Sequence, residues 1–390
     1  MRKPLTDLGA PTFLGSALPY PSPAPPFATA HGGPTATTPR PAEPVTLDGH
    51  HRSWQVHQAP PGGDTPPGTR LKTGEPRHHV PRFDPRCILD EDGLLRRLES
   101  RGVPRVPRAH HTADGLQTHD YIEGTALSGP HPPGSWLTGS QVGHVTELFG
   151  HIAGLGTADL ATLHNCPPAT RPTDSATFLQ SLLRFTRVRV HRRYAPLLPG
   201  LFSALGIRPD AVAHDGFLGR SARHLTDRPF CLLHGDLHRD NLIVSASDGA
   251  LWTIDWELAL VGDPVYDLAT HLHLMRYPRA QEAAVIHRWA RAVESALPGA
   301  AAGVDADLPR YLRYKRVQSV LTDTVRNADA VRKAPADRLE AQLAASALQM
   351  HDALSRAAAP LGLLRVPTAT RVEHAYAALR GRTPAHVGDG

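Results

Sequence analysis

Three oxygen-bearing side chains are the residues of this sequence best suited to chemistry. Asp236 and Asn241 follow the apolar run 230–233, and Asp255 follows a second apolar run, 251–254. Short apolar runs bounded by Gly, Asp and Ser are typical of strands, and the Ser-, Asp- and Gly-containing segment before the second run is typical of a hairpin turn. We therefore expect a hairpin or near-hairpin to bring the three side chains to one place.

This set of ligands suits Mg²⁺, a hard cation that keeps several waters and takes one or two carboxylates together with substrate phosphates. Phosphoryl transfer also needs a carboxylate that orients the attacking hydroxyl and accepts its proton. The spacing D-x-x-x-x-N from Asp236 to Asn241 is the spacing of the catalytic loop of protein kinases. We interpret Asp236 as the catalytic base, and Asn241 and Asp255 as the residues that hold Mg²⁺.

The motifs around these residues resemble one family. The run HGDLHRDN, then IDWE and then GDPVYDLA, is similar to the aminoglycoside phosphotransferases and choline kinases, which are small-molecule kinases with a protein-kinase-like fold. The resemblance implies an α+β fold with a small β-rich N-lobe and a larger, mostly helical C-lobe, with ATP or GTP and Mg²⁺ between them. Asp255 is followed by Trp256 and Glu257, whereas protein kinases have Phe-Gly there, so a protein kinase is disfavoured.

The composition divides the chain into four parts. Residues 1–44 contain eleven of the 38 prolines, and such a segment buries too little apolar surface to offset the entropy of ordering. We expect this segment to be disordered, 45–124 to form the N-lobe, 125–375 the C-lobe, and 376–390 a flexible tail.

Lysine is rare in this chain, which makes its position informative. The chain contains four lysines and 38 arginines. A lysine within a predicted strand is therefore a candidate phosphate-binding residue, because its ammonium is a compact point charge. Lys72 ends such a strand, and Glu91 begins a predicted helix whose apolar face is Leu94, Leu95 and Leu98. A strand lysine paired with a helix glutamate is the arrangement by which kinases hold the α/β-phosphates; the alternatives are a surface strand charge and a solvated carboxylate at a helix start.

The resemblance also assigns the nucleotide-binding backbone. Segment 118–124 is similar to the hinge of the family, which implies that adenine contacts the backbone at Asp120 and Ile122. Segment 45–56 has the position of the loop that covers the phosphates, although it contains no glycine-rich phosphate motif.

Four other polar residues of the central stretch have structural interpretations. His234 and His238 have a metal-ligand spacing for a helix, but Gly235 disfavours a helix there, so we expect them to shape the loop. Asp263 and Asp267 lie at a predicted helix start, where capping is expected. The resemblance implies that Asp263 also supports the catalytic loop.

Overall composition limits the class of protein. The formal net charge is +5, but the arginines are spread along all 390 residues, so no nucleic-acid patch is indicated. No apolar run is long enough to span a bilayer, and we expect a cytoplasmic protein without a membrane partner. The three cysteines are far apart in sequence and predict neither a disulfide framework nor a zinc site.

These features predict an enzyme that phosphorylates a hydroxyl of a small molecule, as a monomer or homodimer. The resemblance makes an aminoglycoside-like antibiotic or a sugar the first candidate acceptor. Two alternatives stay open: a kinase of a primary metabolite such as choline or homoserine, and a non-catalytic nucleotide-binding protein of the same fold.

Overall fold

A computed structural model describes residues 45–49, 52–59, 68–77, 80–111, 117–166 and 171–380. The Pro-rich segment 1–44, which we expected to be disordered, lies outside the described residues, as do the last ten residues of the chain. Within these ranges a β-rich region is followed by a mostly helical one, in the order expected from the sequence.

The N-terminal region is an antiparallel sheet with one helix. Its five strands, in the spatial order β1-β2-β3-β5-β4, are β1 (Val45–Asp48), β2 (Arg52–Gln58), β3 (Arg70–Pro76), β4 (Ala109–His111) and β5 (Gln117–Asp120). Strands β1 and β2 form a hairpin in which Val45 pairs with Val56. Lys72 lies on β3, paired with Val56 on one side and His119 on the other, so the sheet holds this lysine at its centre.

Helix α1 (Glu91–Ser100) connects β3 to β4. The Asp90 side chain accepts a hydrogen bond from the N–H three residues on, at 2.8 Å, and so caps the helix. Leu94, Leu95 and Leu98 are buried, as their spacing predicted. The same packing turns the first residue of the helix, Glu91, towards the interior.

Five short strands continue the chain in two further sheets. They are β6 (Gly124–Ala126), β7 (Cys231–Leu233), β8 (Leu242–Ser245), β9 (Leu251–Thr253) and β10 (Leu260–Gly262). The hairpin expected between 245 and 250 is formed by β8 and β9. The run 230–233 lies outside this hairpin, contrary to the simplest interpretation of the sequence, because β7 pairs with β10. Both of these strands are buried along their apolar residues, and a fully buried strand is stabilised by an apolar partner.

The rest of the chain is helical. The α-helices are α2 (Gly139–Ala153), α3 (Ser175–Phe185), α4 (Leu201–Ala204), α5 (Phe217–Ala222), α6 (Pro264–Met275), α7 (Arg279–Ala296), α8 (Val304–Lys333), α9 (Leu339–Leu361) and α10 (Ala369–Arg380). A π-helical turn, Thr186–Arg192, extends α3, and 3₁₀ turns cover Ala195–Leu197, Arg239–Asn241 and Ala336–Arg338. In the described part of the chain no helix has the length and apolar composition needed to cross a bilayer.

The sequence has helical character at 281–297, 308–327 and 336–359, and these three segments correspond to α7, α8 and α9. The chain is still helical where we expected the tail to begin at 376. Tyr376 and Leu379 are buried on α10, so their apolar contacts hold the helix in place to Arg380.

Two of the cysteines are neighbours in space. The Sγ atoms of Cys87 and Cys166 lie 3.0 Å apart, although the two residues are distant in sequence. The N–H of Asn165 donates to the Cys87 carbonyl at 2.8 Å, and Ile88 forms an antiparallel bridge with His164. The segment before α1 is thus attached to the connection between α2 and α3.

Candidate active site

Asp236, Asn241 and Asp255 meet at the end of β7 and the end of β9. The loop from 234 to 241, called the 234–241 loop below, leaves β7 and returns to β8. Within it the Asn241 Nδ2 donates to the Asp236 carbonyl at 2.9 Å and lies 3.4 Å from the Asp236 carboxylate. The Asn241 carbonyl accepts from the Ile254 N–H at 3.0 Å, which places Asp255 beside the loop.

Asp267 on α6 fixes the start of the 234–241 loop. Its two carboxylate oxygens accept the N–H groups of His234, at 2.8 Å, and of Gly235, at 2.9 Å. The ring of His271, one turn further along α6, lies 2.8 Å from the Leu237 carbonyl. The loop backbone is therefore hydrogen-bonded to a buried helix, so the Asp236 side chain projects from a rigid base.

The support expected from Asp263 comes instead from Asp267. Asp263 caps α6 by accepting from the Val265 N–H at 2.9 Å, as predicted. Its other oxygen pairs with Arg228 at 2.5 Å and accepts from the Tyr311 hydroxyl at 2.8 Å. Asp263 therefore ties α6 to α8 and to the segment before β7. Asp267, one helical turn on, lies on the side of α6 that meets the loop.

Asp255 has a strained backbone and a crowded carboxylate. Its φ of +63° is in the left-handed region, where non-glycine residues are uncommon and Asp is better tolerated than most. Burial, together with the charges of Glu257, Glu91 and Asp236, raises the pKa of Asp255 to about 7, while Lys72 acts in the opposite direction. The surplus of negative charge would be relieved by a bound cation.

His238 lies next to Asp236. Its Nε2 is 3.4 Å from the Asp236 carboxylate, and its Nδ1 is 3.4 Å from that of Asp240. Burial opposes protonation of the ring, but the two carboxylates outweigh it and raise the pKa of His238 to about 10. Burial also favours the neutral form of Asp236. The positive charge of His238 outweighs this effect of burial and lowers the pKa of Asp236. His238 thus holds Asp236 in the ionised form.

The second histidine, His234, is fully buried. Its ring packs on Trp256, with the centroids 4.6 Å apart, and its Nε2 lies 3.2 Å from the Ile254 carbonyl. The loop-shaping role expected for His234 and His238 is confirmed.

Lys72 and Glu91 approach this cluster from the N-terminal region. The Lys72 ammonium lies 4.1 Å from the centroid of the Trp54 ring. Burial lowers the pKa of Lys72, and the negative charges of Glu91 and Asp255 partly offset that effect, so the two carboxylates are its charge neighbours.

Glu91 makes its direct contacts elsewhere. One of its oxygens accepts the Trp256 N–H at 3.1 Å, and the other lies 3.8 Å from the Arg52 guanidinium. Within the described residues Lys72 and Glu91 form no ion pair shorter than 4.0 Å. Glu91 therefore joins α1 to the backbone that follows Asp255.

The predicted hinge, 118–124, covers the end of β5, the three-residue link 121–123 and the start of β6. The Asp120 N–H is already bonded to the Arg108 carbonyl at 3.0 Å, and the Asp120 side chain contacts His110 at 2.7 Å. Ile122 lies in the link itself, and none of the described residues forms a hydrogen bond with its backbone. Of the two predicted contact residues, Ile122 is the one whose N–H is available.

Two residues that build the site had no predicted role there, and neither had the buried Lys315. Arg239, for which the sequence predicted no role, is buried and donates to the carbonyls of His131, Ser135 and Met275. Asp267 was assigned only to capping. Lys315 was counted among the rare lysines but was given no role; rarity was the available signal.

Comparisons with known proteins place this site in a family. A family model described as "Phosphotransferase enzyme family" matches residues 69–304, well over half of the chain. No curated protein matches in sequence.

Among solved structures, an ethanolamine kinase of Plasmodium vivax is similar, with 12% identity and a TM-score of 0.50, covering 80% of this chain and 84% of that chain. An amicoumacin kinase in complex with AMP-PNP, Ca²⁺ and Ami is also similar, with 12% identity and a TM-score of 0.52, covering 84% of this chain and 91% of that chain. These likenesses show the α+β, protein-kinase-like fold. With that fold and with the family match, the chain belongs to the phosphotransferase enzyme family and is a small-molecule kinase.

Proposed function

We propose that the protein transfers the γ-phosphoryl group of ATP, with Mg²⁺, to a hydroxyl group of a small molecule. The observation that carries the proposal is the joining of Asp236, Asn241 and Asp255 by the hydrogen bonds of the 234–241 loop, beside the charges of Lys72 and Glu91. Phosphoryl transfer depends mainly on positioning and on charge stabilisation, and this set supplies both.

Asn241 and Asp255 are the residues that would hold Mg²⁺. The Nδ2 of Asn241 is used within the loop, which orients its Oδ1 as a potential ligand, and the charge crowding raises the pKa of Asp255 to about 7. An amide oxygen and a carboxylate are a fitting donor set for this cation. When bound, Mg²⁺ neutralises charge on the phosphate oxygens. The amicoumacin kinase was solved with a nucleotide analogue and a divalent cation, which is consistent with this assignment.

Asp236 would orient the acceptor hydroxyl and accept its proton as the oxygen attacks phosphorus. His238 keeps Asp236 ionised and therefore able to accept a hydrogen bond. Lys72 would bind the α/β-phosphates, with Glu91 fixing α1 beside it. The adenine would contact the backbone of the link, at the Asp120 carbonyl and the Ile122 N–H. GTP is the alternative nucleotide.

The fold does not determine which acceptor the enzyme phosphorylates. The resemblance favours an aminoglycoside-like antibiotic or a sugar, and choline- or homoserine-like metabolites are the alternatives. The test is Mg²⁺-dependent ATP consumption across a panel of such compounds, by the wild type, by Asp236→Ala and by Asp248→Ala. Asp248 is a fully exposed turn residue between β8 and β9 and serves as the matched control.

We expect at least one acceptor to be consumed by the wild type and by Asp248→Ala, and the rate to fall by about 10²–10⁴ in Asp236→Ala. Nucleotide binding without turnover on any acceptor would favour the non-catalytic alternative. Turnover that Asp236→Ala leaves unchanged would contradict the role of Asp236.

A further inference from the structure

Lys315 is a buried lysine that the proposed reaction has not yet used. It lies in the middle of α8 and is 7% exposed. Its ammonium is 5.3 Å from the centroid of the buried Tyr266 ring. Within the described residues Lys315 has no hydrogen bond and no ion pair within 4.0 Å. An ammonium on a largely buried side chain loses part of its hydration, and a bound anion would compensate for that loss.

Lys315 faces α6, the helix that holds the start of the 234–241 loop. Tyr266, on which its ammonium rests, directly precedes Asp267, and Asp267 holds the N–H groups that come immediately before Asp236. The charges that act on Lys315 agree with this placement. Burial lowers its pKa, Asp84, Asp236 and Asp267 act in the opposite direction, and Arg326 adds to the lowering.

A buried lysine usually balances a carboxylate, but the neighbouring carboxylates have other partners. Both oxygens of Asp267 accept backbone N–H groups, and Asp84 accepts from the Gln318 amide at 2.7 Å. Asp236 lies beside His238 and Asn241, at 3.4 Å from each. The three N–H donors of Lys315 are therefore available to a ligand that enters beside Asp236.

We infer that Lys315 is a second catalytic lysine, whose ammonium binds the phosphoryl group during its transfer to the acceptor. This inference rests on the proposed function. If Asp236 orients the attacking hydroxyl, the phosphorus lies next to that oxygen, within the region between Asp236 and Lys315. A phosphoryl group is the ligand that fits, since a compact ammonium is a strong phosphate partner.

The step balances without a proton from Lys315. The acceptor hydroxyl gives its proton to Asp236, its oxygen forms a bond to the γ-phosphorus, and the bond from that phosphorus to the β-phosphate oxygen breaks to release ADP. Lys315 donates hydrogen bonds to the equatorial oxygens throughout and stays protonated. Its positive charge stabilises the transition state most, because negative charge is then spread over the attacking oxygen, the phosphoryl group and the leaving oxygen.

The test uses a mimic of the transferring phosphoryl group, so the acceptor need not be known. The affinity for Mg²⁺-ADP is measured with and without aluminium fluoride for the wild type, Lys315→Met, Lys315→Arg and Lys333→Met. Lys333 is an exposed lysine at the end of the same helix, paired with Asp329, and is the matched control. Circular dichroism and the melting temperature check that each variant is folded.

We expect aluminium fluoride to tighten ADP binding at least tenfold in the wild type and in Lys333→Met. In folded Lys315→Met this tightening should be absent. The affinity of Lys315→Met for ADP alone should change less than twofold. Lys315→Arg should keep part of the gain because the charge is retained. The inference would be overturned if aluminium fluoride tightened ADP binding as much in Lys315→Met as in the wild type. It would also be overturned if the wild type bound ADP but aluminium fluoride did not tighten that binding. A wild type that binds no Mg²⁺-ADP at all would instead overturn the proposed function, and the inference with it.

Discussion

Asp267 shows how a residue outside the reacting atoms can control the site. Replacing Asp267 by alanine would leave the buried N–H groups of His234 and Gly235 without acceptors. Each unpaired buried donor costs about 1–3 kcal/mol, so we expect Asp267→Ala to lower the free energy of unfolding by about 2–5 kcal/mol. Urea denaturation measures this change.

Asp267→Asn is the matched variant, because its amide keeps one acceptor oxygen. We expect it to lose less stability than Asp267→Ala and to keep more phosphotransfer activity. Equal stability of both variants and the wild type would show that the loop does not depend on these two hydrogen bonds.

At the level of elements, the turn into the 234–241 loop depends on Gly235. Gly235 has φ +79°, and an added Cβ would lie 2.5 Å from the Leu258 carbonyl. Gly249, in the β8–β9 turn, has φ +69° with open space around it. We expect Gly249→Ala to cost about 1–2 kcal/mol from the backbone conformation alone, and Gly235→Ala about 3 kcal/mol or more because of the added clash. Thermal unfolding of the two variants compares them, and equal costs would contradict the close approach.

The segment before α1 offers a second test at this scale. The thiols of Cys87 and Cys166 lie 3.0 Å apart, so we expect hydrogen peroxide to join them as a disulfide, with loss of two hydrogens and formation of water. Burial and the contact with Cys166 raise the pKa of Cys87 to about 12, so the reaction should be slow.

Peptide mapping under non-reducing conditions detects the bond, and Cys166→Ser is the control that removes it. Cys231 is buried and should stay a thiol. Oxidation of Cys87 and Cys166 to separate sulfinic acids would contradict the contact.

The sequence predicted elements whose signals are local. Helix α1 was predictable because its apolar face, Leu94, Leu95 and Leu98, and its capping residue, Asp90, are close in sequence. The pairing of β7 with β10 was not predictable from the sequence. Both strands are short apolar runs, and which strands pair depends on how the whole core packs. Asp263 and Asp267 also could not be distinguished, because the orientation of α6 decides which of them faces the loop.

The same limit applies to the candidate site. Asp236, Asn241 and Asp255 were found from spacing within one stretch of sequence, and the structure brings them together. Glu91 is near Lys72, but its direct hydrogen bond goes to the Trp256 backbone. Lys315 packs on Tyr266 of α6 from a helix that lies far along the chain, and no sequence pattern encodes that contact.

For the whole molecule, buried neutral histidines predict a loss of stability in acid. Burial lowers the pKa of His271 to about 3, and Arg239, His234 and His238 are the nearby groups whose charges affect it. The unfolded chain binds a proton at this residue below about pH 6.5, whereas the folded chain does not until about pH 3. The neutral His271 ring therefore contributes its full stabilisation above pH 6.5. This contribution to the free energy of unfolding is lost as the pH falls towards 3, by at most ~1.4 kcal/mol per pH unit.

Urea denaturation of the wild type and of His271→Gln between pH 7 and pH 4.5 measures this slope. The variant is less stable at pH 7, but its stability should fall less steeply with acid. Identical slopes would show that His271 takes up no extra proton on unfolding.

The central claim is that Asp236 directs phosphoryl transfer from a metal–nucleotide complex to a small-molecule hydroxyl. The most direct measurement follows labelled γ-phosphate from ATP into an acceptor identified in the panel, for the wild type with and without Mg²⁺, for Asp236→Ala and for Asp248→Ala. We expect label in the acceptor only with Mg²⁺, at similar rates in the wild type and Asp248→Ala, and at a rate about 10²–10⁴ lower in Asp236→Ala. Equal label transfer by Asp236→Ala, or transfer that persists in the absence of any divalent cation, would contradict the account.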